Sequence, residues 1–256
     1  MSKVLARITN NKITNAARVA IGSTLGCLRS GQIITLPKRV RQTCRCYRLL
    51  KQLPEVYHPV NVAGLRHLQP KRCCEDRIVA IRRDMQSPPS VVVDIGCQIG
   101  FFTFVLAGEG YAVSGYDINA ANIAVCNAIR DIRCNSKAPD FYNIGLKLDA
   151  VEQIPNADYA LCLAVFHHII HYHGLEYSTA LLSQLRSRIS RTLYFEMGQS
   201  NEPPQFWSPS LPDMGRDPLD WIQQYLCSAG FRAVRSLGLF PNHLSDIPRY
   251  LIAADI

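Results

Sequence analysis

Two sets of residues in this 256-residue chain have the types and spacing to do chemistry. The first is Asp94-x-Gly96-x-x-x-Gly100, followed by Asp117, and the second is the string His167-His168-Ile169-Ile170-His171-Tyr172-His173-Gly174. Glycines at 96 and 100 let the backbone turn sharply and approach a ligand without a Cβ in the way. The Asp117 carboxylate is an acceptor suited to both hydroxyls of a ribose. A neutral imidazole accepts a proton near pH 7 and, once protonated, holds an anion. This combination predicts a nucleoside-containing cofactor next to a centre that moves protons or holds negative charge, with His167 and His168 as the leading candidates for catalysis or substrate contact.

The elements around these residues place them together. Val91-Val92-Val93-Asp94-Ile95 is the short β-branched run of a buried parallel strand. Ligands in an open α/β sheet bind beyond the carboxyl ends of the strands, and Asp117 closes the second strand there. Strands are expected at 91–95, 111–117, 142–148, 158–164, 191–196, 232–239 and 248–254, with helices at 99–107, 120–131, 175–189 and 217–229. That alternation implies a Rossmann-like α/β fold, a mostly parallel sheet with helices on both faces. Phe231 to Leu239 and Arg249 to Ala254 would form an antiparallel closing hairpin. The histidine string follows the fourth strand of the alternation. Glu196 ends Leu193-Tyr194-Phe195-Glu196 at another strand end, where it either orders an acceptor or a histidine, or is simply a partly exposed terminal carboxylate.

Ahead of the sheet lie basic helical character from Lys38 to Leu50 and a break at Leu53-Pro54. A second helix follows over about Cys74 to Met85, and Pro88-Pro89 marks the sheet entrance. The expected organisation is a basic N-terminal extension over 1–52 and one domain over 53–256. Hydrophobic residues make up 48% of the chain, enough for a sizeable core. Residues 1–90 hold 17 Lys and Arg against 4 Asp and Glu, whereas the rest holds 11 against 16. This asymmetry implies either attraction of the N-terminal third to an anionic surface or a solvated basic face. No window reaches the roughly 18 apolar residues of a membrane span. Met1 to Ser30 has spaced Lys and Arg, no acid and weak amphipathic periodicity, a composition shared with organellar targeting peptides but not with a secretory signal.

Ten cysteines do not make a zinc site at this spacing, since Cys44-x-Cys46 and Cys73-Cys74 lack the paired C-x-x-C arrangement. Cys97, Cys126, Cys162 and Cys227 fall in apolar periodic segments, as reduced, small hydrophobes do. The four histidines at 167, 168, 171 and 173 have no partnering acidic motif, so no metal is assigned.

A dinucleotide site needs G-x-G-x-x-G, whose middle glycine admits a pyrophosphate. The chain has D-x-G-x-x-x-G instead, which resembles the first motif of class I S-adenosylmethionine methyltransferases, with Gln98 where many of them carry a further glycine. From Leu53 onward it also resembles the methyltransferase portion of the bacterial O-antigen chain-terminating bifunctional kinase/methyltransferases. That resemblance rests on Leu53-Pro54-Glu55-Val56-Tyr57, Asp94-x-Gly96-Cys97-x-x-Gly100-Phe101-Phe102, Asn122-Ile123-x-Val125-Cys126, Val165-Phe166-His167-His168-Ile169-x-His171-x-His173-Gly174, Asn242-His243-Leu244-Ser245 and Pro248-Arg249.

The resemblance implies a class I fold, S-adenosylmethionine as cofactor, and methylation of a phosphate on the terminal sugar of a growing polysaccharide. It implies that Tyr57, His58 and Arg77 cap the cofactor, and that Asp94, Gly96, Gly100, Asp117, Ile118, Asp149 and Leu163 contact it. An arginine fits the methionine carboxylate because a bidentate pair fixes its orientation. The chain departs from the family in having Ile99 beside Gly100, with Gln98 one position earlier. No kinase region follows Ile256, so the phosphate would be made elsewhere. The acceptor is expected to be a glycan or another anionic small molecule in cell-surface polysaccharide synthesis. The alternatives are an RNA methyltransferase using the basic extension, which lacks interleaved aromatics, and a non-catalytic cofactor-binding scaffold. The expected location is the cytoplasm, at the inner membrane surface if the extension adheres to lipid. Oligomeric state is left open.

Overall fold

The computed structural model describes residues 37–133 and 138–256, so the expectations for Met1 to Ser30 lie outside the described residues. Helix α1 (Lys38–Gln52) turns Lys38, Arg41, Arg45 and Arg48 outward and buries Cys46 and Leu50. Those two side chains join Leu53, Val60, Ile123 and Ile129 in one apolar cluster, which fastens α1 to a later helix, Ala120–Arg133. Helix α2 (Glu75–Asp84) carries Glu75 and Asp76 in its first turn and Arg82 and Arg83 in its last, the charge order that complements a helix dipole.

The sheet then begins. Strand β1 (Val91–Ile95), helix α3 (Phe101–Gly108), strand β2 (Ala112–Tyr116), helix α4 (Ala120–Arg133) and strand β3 (Asp140–Tyr142) build one half. Strand β4 (Ala157–Leu163), helix α5 (Phe166–Arg186), strand β5 (Ile189–Glu196), helix α6 (Pro218–Ser228) and strands β6 (Ala233–Phe240) and β7 (Arg249–Asp255) build the other. The strand order is β3-β2-β1-β4-β5-β7-β6. Strands β1 to β5 run parallel, and β7 lies antiparallel between β5 and β6. The Rossmann-like α/β sheet with its closing hairpin is therefore the observed architecture.

Period-two alternation distributes the core between the faces. Leu193 and Phe195 of β5 point with Leu181, Leu185 and Leu226 to one side, while Tyr194 packs with Ile81, Leu106 and Leu161 on the other. No helix among the described residues is long and apolar enough to cross a membrane.

One expectation needs correction, and one helical stretch was not expected. The third strand covers Asp140–Tyr142 rather than 142–148. The alternation of Ile144, Leu146 and Leu148 mimics a strand, but Asn143 Nδ2 donates to the carbonyls of Asp117 and Ile118 at 2.9 Å each, drawing the chain off the ladder and over the end of β2. The helix expected from 175 does follow Gly174, but an unexpected helical stretch from Phe166 precedes it, the two parted at Gly174, whose φ of 85° and ψ of 168° only glycine adopts without strain. The histidine string is thus a helical turn of its own, directly after β4.

Candidate functional site

The turn after β1 is fixed from both sides. Backbone N–H groups of Gly96 and Cys97 donate to the Tyr116 carbonyl at 2.8 and 3.0 Å, closing the turn onto the end of β2. Gly96 has φ of 74°, and a Cβ there would lie 2.4 Å from Val165 Cγ2. The glycine is required because the turn and the segment after β4 touch. Asp94 is buried beneath it and accepts the Thr103 hydroxyl at 2.5 Å; burial pushes its carboxyl up to about 6. It supports the turn from below.

Asp117 holds the same turn from its outer side. Its Oδ2 accepts the Gln98 N–H at 2.8 Å, and its Oδ1 accepts from Asn119 N at 2.7 Å and Asn122 Nδ2 at 3.3 Å. A carboxylate oxygen has about two acceptor sites, so Oδ1 is filled and Oδ2 retains one. Burial raises the Asp117 pKa, and these three donors oppose the rise. Beside it Ile118 is 72% exposed, an apolar side chain lying against Gly145. Leu163 is half-buried at the end of β4, and Asp149 is exposed in the loop beyond β3.

Glu196 is fully buried, not a partly exposed strand end. Arg77 Nε donates to its Oε2 at 2.6 Å, Arg72 donates to its Oε1, and the Arg249 guanidinium is 4.0 Å away. Burial alone would raise the Glu196 pKa, but Arg72, Arg77 and Arg249 outweigh it and hold the carboxyl below its ordinary value. Arg249 also makes a two-bond clamp on Glu202, at 2.7 and 2.8 Å, and lies over the buried Trp207 ring. Arg77 spends its other donors on Asp76 and on the carbonyls of Phe240 and Pro241. Three buried guanidinium groups thus meet two buried carboxylates and the partly exposed Asp76.

Three buried side-chain polar atoms among the described residues have no hydrogen-bond partner: His58 Nδ1, Arg72 Nε and His243 Nδ1. All three gather around Tyr57. Its ring lies 4.9 Å from that of His58 and 4.8 Å from that of His243, and its hydroxyl accepts from Arg72 at 3.4 Å. Burial, reinforced by Arg72 and Arg77, pushes the His58 pKa down to about 3, so the ring is neutral. Unsatisfied buried polar atoms cost roughly 1–3 kcal/mol each, and their concentration in one place is what a binding site for a polar group requires.

His167 is buried, and its Nδ1 accepts the Gly198 N–H at 3.0 Å. That bond assigns the proton of the neutral ring to Nε2, making His167 a donor from that nitrogen. Burial, His168 and Arg249 hold its pKa well below the ordinary value. His168 is half-buried, its ring makes no hydrogen bond within the described residues, and its pKa is lowered by burial, Arg249 and His171. It is the less buried of the two rings. His171 instead pairs with Ser210 Oγ at 2.8 Å, and no metal-holding group of His, Cys, Asp or Glu occurs among the described residues.

The structure thus gathers Tyr57, His58, Arg77 and Glu196 in one cluster, with His167 and His168 reaching it through Arg249 and Trp207. Asp94, Gly96, Gly100 and Asp117 form the neighbouring turn, with Ile118 at its edge. Sequence reading passed over Arg72, Glu202, Phe206 and Trp207. Arg72 was visible only as part of a basic stretch beside two cysteines, while Pro248-Arg249 and Asn242-His243 were visible as motif matches without a role.

No family model matches the chain. A curated relative, the O-antigen chain terminator bifunctional methyltransferase/kinase WbdD of Escherichia coli, is 31% identical over 218 residues, which are 80% of this chain and 28% of that protein. The chain is similar to the WbdD methyltransferase/kinase. It spans under a third of that relative's length. A WbdD crystal structure superposes with a TM-score of 0.70 at 29% identity, covering 82% of this chain and 47% of that one. The N-terminal domain of EvdMO1, solved in the presence of SAH and D-fucose, shares the fold at a TM-score of 0.60 and 16% identity, covering 86% of this chain and 97% of that one.

Proposed function

We propose that this chain is an S-adenosylmethionine-dependent methyltransferase whose acceptor is an anionic saccharide, a sugar phosphate first among them, in cell-surface polysaccharide synthesis. The observation that supports it best is the sequence of groups along the strand ends. An exposed Ile118 and a ribose-accepting Asp117 lie beyond β2, and the Gly96 turn lies beyond β1. The histidines follow β4, and the buried donors of His58 and Arg72 surround the end of β5. These residues fit the cofactor: an apolar face for a purine, an acceptor for a ribose hydroxyl, a sharp glycine turn, and the unpartnered Arg72 Nε donor for a carboxylate. WbdD is described as an O-antigen methyltransferase, and EvdMO1 was solved with SAH and a sugar, which agrees with this reading.

S-adenosylmethionine supplies the methyl group and the chemical drive, so the protein's work is positioning. A phosphate oxygen is already anionic and needs orientation and charge screening rather than a strong base. The buried guanidinium groups supply screening, and neutral His168 supplies a directed hydrogen-bond donor. Peripheral attachment of the basic α1 face to an anionic membrane would bring a lipid-linked acceptor within reach, and it requires no spanning helix.

The test is incubation with labelled S-adenosylmethionine and fractionated extract, sorted into saccharide, RNA and protein pools. Label should appear in the phosphorylated saccharide pool. His168→Ala should lower turnover about 100-fold, and His168→Gln, which keeps a donor but no base, should retain most of it. Label in RNA alone would contradict the proposal.

A further inference from the structure

The histidine turn carries an aromatic surface that the methyl-transfer chemistry does not use. Phe206 is 61% exposed and Tyr172 is 69% exposed. Phe206 lies flat on His168, with ring centroids 5.6 Å apart and planes 21° from parallel, and it meets His171 edge-on at 5.4 Å. Tyr172 extends the surface by packing edge-on against His171 at 4.8 Å. The next residue along the chain does the opposite. Trp207 is buried, its ring 4.6 Å from His167 and beneath the Arg249 guanidinium. The segment after β5 is therefore anchored by Trp207, and Phe206 is held in solvent beside His168, whose ring makes no hydrogen bond among the described residues.

An exposed apolar surface contiguous with a polar site marks a place where something binds. The surface has a polar edge as well, since His171 and Ser210 form their hydrogen bond beside Phe206. A flat apolar face bordered by hydrogen-bonding groups matches a pyranose ring, which has one face rich in C–H groups and hydroxyls around its rim. A wholly apolar ligand would leave the His171 and Ser210 groups desolvated.

We infer that Phe206, with Tyr172 at its rim, is the platform on which the pyranose ring of the acceptor stacks, turning its anionic substituent toward His168. This rests on the methyl-transfer reading and adds to it the residue that selects a saccharide. An aromatic contact of this kind is worth about five- to tenfold in affinity.

Saturation-transfer nuclear magnetic resonance with glucose 1-phosphate, in the presence of saturating S-adenosylhomocysteine, tests it. The sugar ring protons should receive saturation from the wild-type protein. Phe206→Ala should weaken sugar phosphate binding about five- to tenfold, and Phe206→Tyr should restore it. Calorimetric affinity for S-adenosylhomocysteine should be the same in all three proteins, and the exposure of Phe206 makes a folding defect in the variants unexpected. Unchanged sugar phosphate affinity in Phe206→Ala, or no ring-proton saturation with the wild type, overturns the platform while leaving the cofactor site standing. Failure of S-adenosylhomocysteine to bind the wild type would bring down the methyl-transfer reading, and the platform with it.

Discussion

Glu196→Ala should destabilise the protein by about 3–5 kcal/mol, the range for removing one partner of a buried ion pair. The carboxylate is fully buried and takes hydrogen bonds from Arg72 and Arg77, themselves buried, with Arg249 4.0 Å away. Its loss strands the buried Arg72 guanidinium without its counter-charge and leaves Arg77 only Asp76, at 3.4 Å. The same cluster joins distant pieces of chain, since Arg77 belongs to α2, Glu196 to the end of β5, Phe240 to the end of β6 and Pro241 to the connection that follows it. Urea unfolding should show a lower midpoint with little change in slope. Glu196→Gln keeps the volume and two hydrogen-bonding groups but not the charge, and should fall between the two. A variant as stable as wild type would show that the network carries no net stability.

Asp117→Ala should weaken affinity for S-adenosylhomocysteine about 100-fold while costing much less stability than Glu196→Ala. Two effects combine. One is loss of an acceptor for a ribose hydroxyl, and hydrogen bonds to charged groups are worth roughly 1.5–3 kcal/mol each. The other is release of the Gln98 and Asn119 N–H groups, which Asp117 holds at 2.8 and 2.7 Å. Gln98 has a φ of 52°, so its turn is sustained by such contacts rather than by intrinsic preference. Asp117→Asn presents an amide to N–H donors and should recover only part of the affinity. Isothermal titration calorimetry measures both variants directly.

The parts of the fold legible in the sequence are those written in local pattern. The β-branched run of β1, the alternating helices and the two last apolar segments each specify their element within a few residues. Local pattern failed where Asn143 takes the chain out of the sheet, and it did not show the helical stretch from Phe166 that Gly174 parts from the helix after it. The turn from Asp94 to Gly100 was readable because its constraints are backbone constraints.

The cluster around Glu196 was not readable in the same way. Its partners stand 119 and 124 residues apart in sequence, and neither spacing nor periodicity joins Arg72 or Arg77 to a strand-end glutamate. Without that contact Arg77 reads only as a group for a ligand carboxylate, whereas the fold also spends it on Glu196. Arg72, beside two cysteines, gave no signal of its own, yet its Nε is one of the unpartnered atoms at the site.

The central claim is that the strand ends hold S-adenosylmethionine rather than a dinucleotide. The most direct test is a calorimetric titration of the wild-type protein with S-adenosylhomocysteine and, separately, with a nicotinamide dinucleotide. The account predicts one site per chain for S-adenosylhomocysteine with affinity on the order of micromolar, about −8 kcal/mol, and no heat with the dinucleotide. Binding of the dinucleotide, or no binding of S-adenosylhomocysteine, would contradict it.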